Sequence, residues 1–173
     1  MTLRIVIVAV TLIALFLVFA ATKPSTLSVR RSVVINAPPE KIFVLINDLH
    51  RWGEWNSEED STVTRTFSGA ASGVGAASEW DSRGKAGKGR IMITESQASS
   101  RVAVQVDFVK PFHSHNRNEF TLEQAGGSTT VTWSWRGQNL YFMKVMGVFA
   151  SMDKMMGKHF EAALVRMKAI AER

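Results

Sequence analysis

The pattern of apolar and polar positions divides the chain into three unlike parts. In the first, IVIVAVTLIALFLVFAA from Ile5 to Ala21, there is no charge and one weakly polar residue, Thr11. As a helix it spans about 26 Å, slightly less than the ~30 Å hydrocarbon layer of a bilayer, and Leu3 and Thr22 lengthen it at either end. The middle part alternates. RVAVQVDFV, from Arg101, sets Val102, Val104, Val106 and Phe108 on one side and Ala103, Gln105 and Asp107 on the other. STTVTWSWR, from Ser128, sets Val131, Trp133 and Trp135 against Thr130, Thr132, Ser134 and Arg136. Such alternation predicts antiparallel strands with one covered face. The last part, about Tyr141–Ala171, has a helical period. Phe142, Met146, Phe149, Met156, Phe160, Leu164 and Met167 recur three, four or seven apart and form one apolar stripe.

Shorter signals fill the gaps. Val29–Asn36 is rich in β-branched residues and predicts a strand. APPEKIFVLINDL follows, with prolines suited to a first helical turn and an apolar face of Ile42, Phe43, Leu45 and Ile46. HRWGEWN, from His50 to Asn56, predicts a second short helix or turn closing over the core. Further strands are expected near Thr62–Ser68, Ala76–Ser82, Gly89–Ser96, Arg101–Val109, His115–Glu123 and Thr129–Arg136, separated by glycine-bearing or polar turns. The order is strand, two short helices, six strands, long helix. One long helix in the groove of a curved, antiparallel, seven-stranded sheet covers every apolar face, which makes the fold class α+β. Residues 1–22 form a transmembrane anchor or signal peptide, 23–28 a linker, and 29–173 the folded domain.

Composition narrows the functions. There is no cysteine, so disulfides, thiol nucleophiles and iron–sulfur clusters are excluded. The net charge is +6, but the basic residues are scattered. Nucleic-acid binding needs a clustered patch, so no nucleic-acid partner is expected, while mild attraction to an anionic lipid surface is in keeping with the charge. The apolar run at the N-terminus is longer than a usual signal-peptide core and its basic flank is only Arg4, which favours a retained single-pass anchor over cleavage after Ala20 or Ala21. Lys23, Arg30 and Arg31 outnumber Arg4, which argues for a cytoplasmic domain; a signal anchor with a translocated domain stays open.

Candidate chemistry is sparse. Six of the eight methionines fall after position 142. Methionine fills irregular core gaps, and it also lines cavities that accept variable apolar ligands. Asp153 sits on or beside the apolar stripe, either as a buried acid with a raised pKa or as a surface ion-pair partner. Glu95 shares a strand face with Ile91 and Ile93, so alternation points it inward; Asn116 and Asn118 share a face with Phe120 and Leu122. The tryptophans, Trp52, Trp55, Trp80, Trp133 and Trp135, serve as core, or in the case of Trp52 and Trp55 as a lid, a rim or a lipid contact. His113 and His115 make a same-side pair without a third ligand at metal spacing, so no metal is expected. GAASGVG lacks the spacing of a dinucleotide loop and is followed by a strand, which makes it a hairpin turn. No nucleophile elbow or triad spacing occurs, and the catalytic residues, if any, are not identified.

VRRSVVINAPPEKIFVLINDLHRWGEWN, SGVGAASEWDS, GKGRIMITES, FVKPF and MKVMGVFASMDKMMGKHFEAALVRMK together resemble the polyketide cyclase/dehydrase-like branch of the SRPBCC superfamily. This is the helix-grip fold shared with START lipid-binding domains and the major birch-pollen allergen. The resemblance runs from about Ser28 to the C-terminus, and bacterial members with an N-terminal membrane segment fit the anchor. It implies a cavity between sheet and long helix. The candidate walls are Trp80, Ile91, Ile93, Glu95, Val104, Val106, Phe108, Asn118, Phe120, Trp133, Trp135, Met146, Phe149, Asp153, Met156 and Phe160. No cofactor is expected, and the resemblance implies a hydrophobic small molecule as partner, lipid-like or polyketide-like. Three functions follow: a non-catalytic, membrane-tethered binding module, a cyclase/dehydratase-type enzyme using Asp153 or Glu95, or an interaction domain with a collapsed cavity. The oligomeric state is not specified by any of these features.

Overall fold

The alternating segments pair into one antiparallel sheet in the computed structural model of the chain, which describes residues 2–56, 62–84, 86–148 and 151–173. Its strands are β1 (Thr26–Ile35), β2 (Thr64–Gly69), β3 (Ala76–Asp81), β4 (Lys88–Gln97), β5 (Arg101–Lys110), β6 (Ser114–Ala125) and β7 (Ser128–Gln138). Their spatial order is β1-β7-β6-β5-β4-β3-β2, seven strands in all. Consecutive hairpins therefore build the sheet from β2 to β7. The exception is the step from β1 to β2, which crosses its whole width. That crossing carries α2 (Pro39–Asn47), a 3-10 turn (Leu49–Arg51) and α3 (Trp52–Trp55).

The crossing is held by its own side chains. Pro39 occupies the first turn of α2, where no intrahelical donor is needed. At the other end the carbonyls of Leu45 and Ile46 would lack partners, as at any helix C-terminus. The Trp55 Nε1–H donates to the first at 2.9 Å and the Trp52 Nε1–H to the second at 2.8 Å. Both indoles are buried, so Trp52 and Trp55 are core residues and do not dip into lipid. Asp48 caps the 3-10 turn by accepting from the His50 N–H at 2.9 Å.

The C-terminal helical stretch is divided. α4 (Tyr141–Met146) ends at Gly147, and α5 (Met152–Ala171) starts behind Ser151, whose Oγ accepts from the Lys154 N–H at 3.3 Å. The single helix expected over Tyr141–Ala171 is thus two. Only α5 lies in the grip of the sheet, burying Phe160, Ala163, Leu164, Met167 and Ala171. α4 turns away towards α1 (Thr2–Ala21) and leaves Phe142 and Met146 exposed, although both belong to the apolar stripe. The Tyr141 hydroxyl donates to the Leu17 carbonyl at 3.0 Å, and Lys144 Nζ to the Ala21 carbonyl at 3.4 Å. α1 itself is long and apolar enough to cross a membrane, and Ala20 is its buried residue.

α5 is fastened to the edge strand β1 by Arg31. Its guanidinium donates to Asp153 Oδ1 and Oδ2 at 3.1 and 3.0 Å and to Glu161 Oε1 at 2.6 Å. The two acids lie four residues either side of Gly157, one turn above and below it on the same helix face. A Cβ at Gly157 would collide with the guanidinium, so the glycine is the seat of the clasp. The rest of the core is aromatic and aliphatic: Ile35, Ile42, Ile46, Ile93, Val102, Val104, Phe120 and Val131 from sheet and α2 meet Leu164 and Met167 of α5.

Candidate functional site

The concave face of the sheet does not close completely on α5. A cavity of about 150 Å³ remains, walled by Trp80, Ile91, Val106, Phe108, Asn118, Trp133 and Trp135 from the sheet and by Met156 and Phe160 from α5. Trp52, Asn56, Arg65 and His159 complete it. Strand alternation explains the sheet wall, because these side chains occupy inward positions. Two glycines make room for the indoles. Gly89 lies opposite Trp80 across the β3–β4 pair, and Gly137 is two residues beyond Trp135 on the same face. A Cβ at either would strike the indole lying over it.

An aromatic stack forms the inner wall. Trp133 and Phe160 lie face to face, 3.8 Å between centroids and 5° from parallel. Phe120 tilts against Trp133 at 5.0 Å, and Trp55 meets both rings edge-on. The Trp133 Nε1–H donates to Asn118 Oδ1 at 3.1 Å, which leaves neither polar group unpaired in the apolar wall. At the rim His159 Nε2 and Asn56 Oδ1 are 3.0 Å apart. Among the described residues the lining contains no carboxylate.

The remaining candidates lie elsewhere. Ile93, Val104 and Phe120 are buried beneath the cavity and belong to the packed core. Glu95 is a correction. A bulge shifts the β4–β5 register between Ile93 and Glu95, so Glu95 pairs with Ala103 and emerges on the convex face. There it bonds Arg117 at 2.6 Å and Arg101 at 3.1 Å. The Arg117 hydrogen bond holds its pKa below the ordinary value, opposite to what a buried acid would show. Asp153 is a second correction: its side chain is 54% exposed and its carboxylate is held by Arg31, which lowers its pKa. Met146 is exposed on α4 and lines no part of this cavity. Phe149 lies outside the described residues.

Of the residues the pattern missed, His159 follows Met156 by three and shares its helix face, so helical spacing contained that signal. Arg65 had none, because β2 is exposed along its whole length and shows no inward side. Of the histidine pair, His115 bonds Asp107 Oδ1 at 2.7 Å on the face opposite the cavity.

A second and larger hollow, about 620 Å³, opens at the foot of α1 between β1, α4 and the first turn of α5. Asp153 is among its lining residues, with Met152 and Lys154.

Comparison with known proteins agrees with this architecture. The sequence profile of a family described as polyketide cyclase / dehydrase and lipid transport matches residues 26–172. No curated protein matches the sequence. Among solved structures, protein CV1439 from Chromobacterium violaceum superposes with a TM-score of 0.61 at 14% identity, covering 87% of this chain and 99% of its own. The Aha1 dimer from Colwellia psychrerythraea gives 0.57 at 18% identity, with 84% and 96% covered. Ara h 8.0201 gives 0.55 at 12% identity, with 84% and 95% covered. At these identities the superpositions report the fold alone.

Proposed function

This chain belongs to the polyketide cyclase/dehydrase and lipid-transport family, and from that premise we propose that it is a membrane-tethered protein that binds a hydrophobic small molecule between sheet and α5. The observation that carries the proposal is the character of the 150 Å³ cavity: indole and phenyl walls, a flexible methionine, Met156, at its edge, and no carboxylate among the described residues of its lining. A cavity of this size takes about one aromatic ring or the end of a chain. The ligand therefore enters end-first, with the remainder passing Met156 towards solvent. Binding free energy comes from apolar area removed from water, about 25 cal/mol per Å², less the cost of association. α1 would hold the domain against the bilayer that supplies such molecules.

The enzymatic alternative is weaker because both of its acids are engaged outside the cavity. Asp153 is ion-paired with Arg31 and Glu95 with Arg101 and Arg117, and both have lowered pKa values where a general acid needs a raised one.

The test is native mass spectrometry of the full chain in detergent, before and after solvent extraction. A discrete lipophilic mass is expected with the parent protein and is lost in Met156→Trp, whose indole fills the opening. Retention of the same mass by that variant, or no adduct together with no thermal stabilisation by a panel of lipids and polyphenols, would overturn the proposal.

A further inference from the structure

The hollow at the foot of α1 differs in chemistry from the aromatic cavity. Leu27, Met143, Val148 and Met152 give it an apolar side, and three lysines, Lys23, Lys144 and Lys154, converge on it. Among the described residues none of these ammonium groups pairs with a carboxylate. Lys23 rests over the Phe19 ring at 4.6 Å, and Lys144 makes a long contact to the Ala21 carbonyl. The lining acid, Asp153, is held by Arg31, which it shares with Glu161. Among the described residues the lining thus carries three ammonium groups against one carboxylate, and the hollow is net cationic.

Asn139, also in the lining, adds an independent sign of a missing ligand. It is 8% exposed, and its Oδ1 is buried without a hydrogen-bond partner. The amide cannot simply be reversed, because its Nδ2 donates to the Pro24 carbonyl at 2.8 Å. A buried acceptor in that state costs free energy until a donor reaches it. The hollow therefore calls for a molecule that is anionic and also carries a hydroxyl or N–H.

Its position specifies the source. Tyr141 bonds the carbonyl of Leu17, about 6 Å up the axis of α1 from Ala21. With α1 in a bilayer, α4 lies at the depth of the headgroups, together with its exposed Phe142, which is tilted against Phe112 at 4.4 Å. Tyrosine and lysine are the side chains that favour this layer. We propose that the hollow holds the headgroup of an anionic, hydroxyl-bearing phospholipid, of the phosphatidylglycerol class, taken from the membrane that α1 crosses. The phosphate lies among the three lysines, a headgroup hydroxyl donates towards Asn139, and the acyl chains leave along the apolar side. This rests on the tethered reading above, but uses a different cavity. The volume, about 620 Å³, is in the range of small-molecule sites.

The test places the full chain in nanodiscs of phosphatidylcholine alone or mixed with phosphatidylglycerol, then measures lipid retained after detergent release by native mass spectrometry. Phosphatidylglycerol should be retained selectively. Lys144→Gln and Lys154→Gln should each weaken that retention about fivefold, while Lys41→Gln, on α2 beyond the far end of β1, leaves it unchanged. Inorganic phosphate is added as a competitor to separate the two sources of the anion. Equal retention of both lipids, retention indifferent to Lys144 and Lys154, or full displacement by phosphate would overturn the assignment. Failure of the chain to remain in the disc would instead overturn the anchoring, and this site with it. Loss of the ligand in the aromatic cavity, with phosphatidylglycerol still retained, would count against that cavity alone and support this site.

Discussion

Phe160→Ala tests whether the stack with Trp133 is the wall of a site or merely a neighbourly contact. Phe160 is 4% exposed and lies flat on the Trp133 indole at 3.8 Å. Removing the ring forfeits about 2–3 kcal/mol of transfer free energy and about 1 kcal/mol for the aromatic pair. The sum, about 3–4 kcal/mol, falls within the usual cost of truncating a buried phenylalanine. The vacated space joins an existing cavity, so little further penalty is added for a sealed void. For a domain of this size the loss corresponds to a fall in Tm of roughly 10 °C. Denaturant unfolding of the full chain, followed by tryptophan fluorescence, measures it directly. The same variant should gain affinity for a small aromatic such as toluene, and a saturating concentration should restore about 2–3 kcal/mol. A loss below about 1 kcal/mol with no response to toluene would refute the reasoning, since the ring would then be neither packed nor adjoining a usable cavity.

Gly89→Ala should cost about 1–3 kcal/mol, because the new Cβ meets both the Trp80 indole and the Asp107 carbonyl; an unchanged unfolding midpoint would show that the indole does not lie over Gly89. Asp153→Asn and Glu95→Gln should leave ligand retention unchanged, because neither carboxylate faces the aromatic cavity, and native mass spectrometry reads this. The Arg31 hydrogen bond lowers the pKa of Asp153, so the stability it contributes is complete above the ordinary carboxylate pKa and drains away as pH falls through the lower folded value. Acid unfolding of Asp153→Asn should accordingly depend less on pH below about 4 than that of the parent.

Much of the fold is legible in the chain because its physics is local. RVAVQVDFV and STTVTWSWR state their inward faces residue by residue, and Val106, Phe108, Trp133 and Trp135 are found on the cavity side. What is not legible depends on contacts between distant segments. The apolar period runs through Gly147 without a break in phase, so spacing alone could not separate α4 from α5; docking of Tyr141 and Lys144 on α1 turns the shorter helix away. Parity assigns Glu95 inward only if β4 is regular, and one bulge reverses it. The partner of Asp153 is Arg31, 122 residues away, which no local pattern names. The stacking of Phe160 on Trp133 in the cavity wall is a matter of side-chain rotamers and not of period.

The junction between α1 and β1 limits how far the domain can move from α1. Four residues, Thr22 to Ser25, separate the two elements. Fully extended they reach at most about 14 Å, and they are not free to extend. Lys23 continues the helical turn through the Ala20 carbonyl, and Asn139 takes hold of both Pro24 and Ser25. A shuttle that ferries molecules between two bilayers needs a long, slack leash, and this one is short and pinned. With α1 embedded, the domain is a fixed berth on its own membrane. If it binds a hydrophobic molecule as proposed above, that molecule returns to the same membrane or is received by a second protein that comes to the surface.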